Sequence, residues 1–251
     1  AMLGALTAFT VALAGALWWH SEREIERQEA ALEVIAEGGH CVGADAFRDD
    51  TCGPQELAVT PVVAAEDKPD VYADECWSNR PFADHIVCEY GLTDADVRIA
   101  LHGNSHAGHW QPPLTRIATE DGWALDTYLV SECYSVDVPI NFDTAEERDN
   151  CLAYNEWAAG EISSGAYDVV VMSDRTATRG LYDEARPHAE VQRESYARVI
   201  QRFVDSGVHV LVIRDTPAAA QNIPNCIAEG GAWQERCATD RETALEVDPL
   251  A

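Results

Sequence analysis

A serine at a sharp corner is the residue of this sequence best suited to do chemistry. An apolar run at 97–101 has the character of a β-strand, and Gly103, Asn104 and Ser105 follow it before a segment that can continue as a helix. A hydroxyl at such a corner is exposed at the carboxyl end of the strand, and the first free N–H groups of the helix point towards whatever it attacks. The pattern predicts Ser105 as a nucleophile. The alternative is that Ser105 only caps the helix, a position where Asn and Ser are common.

The elements that must position this corner alternate as in an α/β domain. Further strands are predicted at 123–130, 168–173 and 209–215. The valine run in 168–173 indicates that this strand is buried on both faces. Helices are predicted at 107–119, 144–159 and 186–206. The sequence therefore predicts four parallel strands, with Asp215 at the same sheet edge as Ser105 and a candidate to line the pocket.

The cysteines indicate disulfides in an oxidising compartment. They are eight, an even number at wide spacing, whereas zinc sites usually show close ligand pairs, so no metal site is predicted, and no cofactor either. Each successive pair brackets a short stretch outside the predicted strands. The predicted bridges are Cys41–Cys52, Cys76–Cys88, Cys133–Cys151 and Cys226–Cys237.

Composition excludes one class of partner. Acidic residues outnumber basic ones by 44 to 17, which gives a net charge of −27. Phosphate binding needs clusters of Lys and Arg, so we expect no nucleic-acid partner. The 251 residues are enough for one α/β domain and an appendage.

The N-terminal region is predicted to attach the chain to a bilayer. Residues 2–19 carry no charge and end in two tryptophans, which predicts a transmembrane helix over 1–20; a signal peptide would open with a basic region. Ser21 and Glu24 have capping-box spacing, which predicts a juxtamembrane helix at 21–39. The cysteines and prolines that follow predict a disulfide-stapled linker at 40–94, before a domain at 95–251.

The residues around Ser105 resemble a known family. Gly103-Asn104-Ser105-His106, followed by Ala107, one further residue, His109 and Trp110, is similar to the first block of the SGNH hydrolase superfamily. It is most similar to the variant fused to the last transmembrane helix of acyltransferase-3 proteins, which O-acylate cell-surface sugars. The family usually has Asp where this chain has Asn104. The resemblance implies an α/β fold, a three-layer α/β/α flavodoxin-like parallel sheet preceded by one transmembrane helix.

The resemblance also implies where the catalytic partners should lie. Related enzymes supply a base and an orienting carboxylate from an Asp-x-x-His segment after a fifth strand, and a serine nucleophile needs both. No such segment follows Cys237. We therefore expect the triad Asp and His beyond Ala251, a sheet incomplete at the C-terminus, and little activity from these residues alone. The internal alternatives, each more readily structural, are His102, His106, His109 and His188.

The groups that would stabilise an oxyanion are only partly matched. The backbone N–H of Ser105 is one natural donor. The glycine of the family's second block should follow the second strand, but 131–133 reads Ser-Glu-Cys. Acyltransferase-fused members often have Ser-x-Arg in the third block, which makes Ser173 and Arg175 candidates; the alternative is a helix cap and a surface cation.

The implied reaction is acyl transfer on the extracytoplasmic side of the cell membrane. Ser105 would accept an acyl group, usually acetyl in this family, delivered by the membrane acyltransferase domain, and pass it to a hydroxyl of a cell-surface glycan. With water as acceptor, the same site would be a carbohydrate esterase. Asn104, the missing glycine and the missing Asp-x-x-His favour a third possibility, a non-catalytic glycan-binding or structural domain.

Overall fold

The structure is a computed structural model and describes residues 2–36, 51, 68–175, 180–181, 186–229 and 236–245. The chain divides into two compact units, one of residues 1–68 and 221–238 and the other of 69–220 and 239–251. The second unit contains the sheet and Ser105. The domain boundaries predicted at residues 20, 39 and 94 stay predictions.

The described elements alternate between helices and strands. The helices are α1 Met2–Ala36, α2 Asp70–Ala73, α3 Ser105–Gly108, α4 Gln111–Asp121, α5 Ala145–Ile162, α6 His188–Asp205, α7 Ile223–Ala228 and α8 Arg241–Ala244. The strands are β1 Cys88–Gly91, β2 Arg98–Gly103, β3 Ala124–Leu129, β4 Val169–Ser173 and β5 His209–Val212.

One continuous helix, α1, occupies most of the N-terminal region. It runs through both the transmembrane segment predicted over 1–20 and the helix predicted over 21–39. Within the described ranges, no helix combines the length and the apolar character that crossing a membrane requires. The transmembrane helix over 1–20 stays a prediction.

The sheet confirms the predicted α/β class and corrects the number of strands. Its order is β1-β3-β2-β4-β5, in which β1 is antiparallel to β3 and the other neighbours are parallel. The prediction of four strands was wrong because β1 lies in the stretch assigned to the linker. This strand has only four residues at the sheet edge, with half-buried and exposed positions in alternation, so its pattern is too short to recognise.

Both faces of the sheet are covered, which makes three layers. Leu101 and Val171 pack on one face with residues of α3 and α4, whereas Ala100 and Val170 pack on the other with residues of α5 and α6. Successive residues of β2 and β4 thus point to opposite sides, as the pleat requires. This explains why the strands are apolar throughout.

Three of the predicted disulfides are present. They are Cys76–Cys88, Cys133–Cys151 and Cys226–Cys237, with Cα–Cα distances of 5.8, 5.9 and 5.8 Å. The first fastens the segment before the sheet to β1. The fourth predicted bridge, Cys41–Cys52, lies outside the described residues.

Candidate active site

The corner before Ser105 depends on a glycine. Gly103 ends β2 with φ +146°, a conformation that side chains rarely adopt. A Cβ at this position would collide with the backbone oxygen of Ser173 and lie 2.9 Å from the Cβ of Ala107. Gly103 therefore allows the end of β2 to lie against the end of β4.

Asn104, not Ser105, caps the helix that follows. Its side-chain Oδ1 accepts hydrogen bonds from the backbone N–H groups of His106, at 3.1 Å, and Arg175, at 2.9 Å, and its Nδ2 donates to the carbonyl oxygen of Arg175 at 3.2 Å. Ser105 is the first residue of α3, so the capping alternative for Ser105 was wrong. Asn104 joins the corner to the segment after β4.

The buried side chain of Asp174 holds the corner in place by hydrogen bonds. Its Oδ1 accepts a hydrogen bond from the backbone N–H of Asn104 at 2.9 Å. Its Oδ2 accepts from the backbone N–H of Ser135 at 2.9 Å and from the hydroxyl of Tyr196 at 3.1 Å. Burial raises the pKa of the Asp174 carboxyl to about 7, although these donors act in the opposite direction. Sequence reasoning missed Asp174; a charged residue directly after a buried strand was the available signal.

His106 and Asp215 meet although 109 residues separate them. His106 Nδ1 forms a hydrogen bond with Asp215 Oδ1, and each side chain is 17% exposed. Asp215 lies in the loop after β5, where the sequence placed it at the same edge as Ser105. This contact fastens α3 to the carboxyl end of the sheet.

Two of the internal histidines have structural positions. His102 is buried within β2, where burial lowers its pKa to about 4, and its Nδ1 lies 3.4 Å from the carbonyl oxygen of Tyr128. His188 Nδ1 accepts a hydrogen bond from the backbone N–H of Leu181 at 3.1 Å. Neither contact involves the serine hydroxyl.

His109 is placed differently. It lies one turn beyond Ser105 and is exposed, with its ring 4.8 Å from that of His106. The pKa of His109 is lowered, mainly because part of the ring is buried and to a smaller extent by the charge of His106. This favours a neutral imidazole near pH 7. In the described part of the chain, no hydrogen bond joins any side chain to Ser105 Oγ.

The two third-block candidates lie beside the corner. Ser173 is buried at the end of β4, and within the described ranges its hydroxyl has no hydrogen-bond partner. Arg175 contacts Asn104 through its backbone, and its side chain is exposed. The structure thus brings both residues next to the nucleophile block, but within the described ranges neither side chain forms a hydrogen bond with Ser105.

Ser105 opens onto a cleft of about 390 Å³, a volume within the range of small-molecule sites. Ser131 also lines this cleft and occupies the position where the second-block glycine of the family was expected. The other lining residues come from the segment predicted as a linker: Tyr72, Glu75, Trp77, Asn79, Asp84 and Ile86.

Comparison with known proteins gives one family and one similar structure. The model of the SGNH domain, described as fused to AT3 domains, matches residues 72–248. A solved structure, the periplasmic domain of a lipopolysaccharide acetyltransferase of Salmonella ser. Paratyphi A, is similar at 15% identity with a TM-score of 0.45. The similarity covers 55% of this chain and 52% of that one, so the chain spans about half of that domain's length. No curated protein matches the chain.

Proposed function

Because the chain belongs to the family of SGNH domains fused to AT3 domains, we propose that it transfers an acyl group, most simply acetyl, through Ser105 to a hydroxyl of a cell-surface glycan. The observation that carries the proposal is the position of Ser105. It is the first residue of α3, it follows the carboxyl end of β2, and it lines a cleft large enough for an acceptor.

The first turn of α3 provides one donor for an oxyanion. The N–H of His106 is bonded to the Asn104 side chain, and those of Ala107 and Gly108 are bonded to the Asn104 carbonyl oxygen. The N–H of Ser105 forms no hydrogen bond in the described part of the chain. We therefore assign it to the negative oxygen that develops when Ser105 Oγ attacks an acyl carbonyl.

The serine also needs a base. His106 follows Ser105 directly, and consecutive helical residues do not face each other. Its Nδ1 is bonded to Asp215, so we propose that this pair positions α3 and does not activate Ser105. Of the internal histidines, His109 is the candidate that the geometry favours, since it is exposed and residues four apart share a helix face. A histidine from an Asp-x-x-His segment, as the family resemblance implies, remains the alternative.

The proposed setting is extracytoplasmic. Three disulfides are typical of an oxidising compartment. The acyl group would come from a membrane acyltransferase domain of the kind to which these SGNH domains are fused, and the acceptor would be a carbohydrate of the cell envelope.

A comparison of two serines of the same cleft tests the proposal. The complete protein is incubated with p-nitrophenyl acetate, with and without an oligosaccharide acceptor, and acetylated oligosaccharide is measured. Ser105→Ala should abolish transfer, whereas the matched variant Ser131→Ala should retain it. Equal transfer by the wild-type chain and Ser105→Ala would contradict the assignment.

A further inference from the structure

The cleft beside Ser105 has a wall that the serine chemistry does not explain. Its residues at 72–86 precede the sheet, and an aromatic pair dominates them: the rings of Tyr72 and Trp77 lie 4.9 Å apart and are tilted by 33°. Tyr72 is 44% exposed, whereas Trp77 is only 6% exposed. The wall thus combines a fixed indole with an accessible phenol ring.

This wall is attached to the nucleophile helix. A Cβ on Gly108, in the last turn of α3, would lie 2.7 Å from two carbons of the Trp77 ring, so glycine is needed for the indole to pack there. The same segment is tied to β1 by the Cys76–Cys88 bridge and by a 2.9 Å hydrogen bond from the Tyr90 hydroxyl to Asp74. The aromatic wall therefore keeps a defined position relative to Ser105.

The charged groups of the cleft have one sign. Glu75 and Asp84 are exposed, and within the described ranges neither forms an ion pair. The cation nearest to them in sequence, Arg80, is occupied by carboxylates elsewhere: Glu132 at 2.5 Å, Asp143 at 3.1 Å and Glu147 at 3.3 Å. The lining residues therefore offer hydrogen-bond acceptors and negative charge, with no cation to bind an anionic ligand.

The backbone at Glu75 is unusual. Its φ of +56° is a left-handed conformation that a non-glycine residue seldom adopts. Glu75 follows the end of α2, where the N–H of Cys76 donates to the carbonyl oxygen of Val71 at 2.9 Å, so it is the left-handed residue of a Schellman-type helix end. This turn places Glu75 in the lining of the cleft.

From these observations we propose that the cleft is the acceptor site, and that it takes sugar units that carry no carboxylate or phosphate, namely neutral or amino sugars. The proposal rests on the proposed function, since Ser105 is what makes this cleft the place of transfer. The C–H face of a sugar ring stacks on the Tyr72 ring, and its hydroxyl or ammonium groups donate to Glu75 and Asp84. An acidic sugar would place its negative charge close to the carboxylates of Glu75 and Asp84 and would be repelled by them.

Equilibrium binding without an acyl donor tests the site. Calorimetry or NMR titration of the full chain compares three trisaccharides. They are the trimers of N-acetylglucosamine (neutral), glucosamine (cationic) and galacturonate (anionic). We expect the first two to bind and trigalacturonate to bind roughly tenfold or more weakly. Salt at about 1 M should reduce this difference by screening. Because no reaction is involved, a failure of Ser105 as the nucleophile would leave this result unchanged, and the reverse also holds.

Matched variants identify the residues. Tyr72→Ala should weaken neutral binding roughly fivefold or more, as the truncation of an aromatic contact typically does, whereas Tyr72→Phe keeps the ring and the affinity. Glu75→Gln with Asp84→Asn should admit trigalacturonate. The control, Glu89→Gln with Asp121→Asn, changes net charge equally at exposed positions outside the cleft and should not. Equal affinity for all three sugars, binding of none of them, or the same gain in the control would overturn the proposal.

Discussion

Replacing Asp174 by Asn should change how the stability of the chain depends on pH. The carboxyl is fully buried, and its pKa rises from an ordinary 3.8 to about 7. A difference of about three units corresponds to about 4 kcal/mol, since one unit is about 1.4 kcal/mol. This is the free energy that ionising Asp174 costs the folded state relative to the unfolded state.

The sign follows from proton binding. Between about pH 4 and pH 7 the folded state keeps the Asp174 proton and the unfolded state has lost it, so the free energy of unfolding falls as pH rises through this window. Asp174→Asn removes this dependence. Its amide has one acceptor oxygen for three donors, which costs about 1–3 kcal/mol at every pH. We therefore expect the variant to be less stable than the wild type at pH 4, and to improve relative to it by about 4 kcal/mol at pH 8.

Urea unfolding at both pH values measures the difference directly. Asp137→Asn is the matched control: burial raises the pKa of Asp137, but its bonds to Arg198 and Ser195 outweigh this and lower the pKa. Both its folded-state and unfolded-state pKa values lie below the range tested, so the deficit of that variant relative to the wild type should be nearly constant from pH 4 to pH 8. A constant difference between Asp174→Asn and the wild type over the same range would contradict the raised pKa of Asp174.

Three further predictions concern Asn104 at the corner, Gly108 in α3 and the predicted bridge between Cys41 and Cys52. Asn104→Asp, which restores the residue usual in the family, places a carboxylate that is 1% exposed beside Asp174; it should cost about 3 kcal/mol or more at pH 8 in urea unfolding, and less at pH 4. Unchanged stability at pH 8 would contradict this. Gly108→Ala forces a methyl group against the indole 2.7 Å away and should cost about 1–3 kcal/mol, which a thermal melt detects; a neutral result would show that the wall can move. Non-reducing peptide mapping should join Cys41 to Cys52, and a bridge from either to another cysteine would contradict sequential pairing.

Much of the fold was predictable from local pattern. The valine run of β4 and the amphipathic α6 have the expected periods, and their observed bounds, Val169–Ser173 and His188–Asp205, lie within the predicted segments. The helix predicted at 107–119 is instead two helices, since α3 ends at Gly108 and the two prolines begin a new first turn in α4. The three described disulfides were predicted because each pair of successive cysteines brackets a short stretch outside the predicted strands.

The candidate site was only half predictable. The corner at Ser105 is formed by consecutive residues, so it can be recognised from the sequence. The support from Asp174 arises from contacts about 70 residues apart, and the partnership of His106 with Asp215 spans 109. The cleft wall was read as a linker because its position depends on a disulfide and on the packing of Trp77 against Gly108, which no periodicity reveals.

Locating the acyl group on the protein shows directly whether Ser105 is the nucleophile. The complete protein is incubated with an acetyl donor and quenched in acid, and peptide mass mapping then assigns any acetyl ester. We predict one acetyl group on Ser105, absent from Ser105→Ala, retained in Ser131→Ala and removed when a neutral oligosaccharide acceptor is added. Acetyl found on Ser131 in place of Ser105, or a Ser105→Ala chain that transfers acetyl to the acceptor as fast as the wild type, would contradict it.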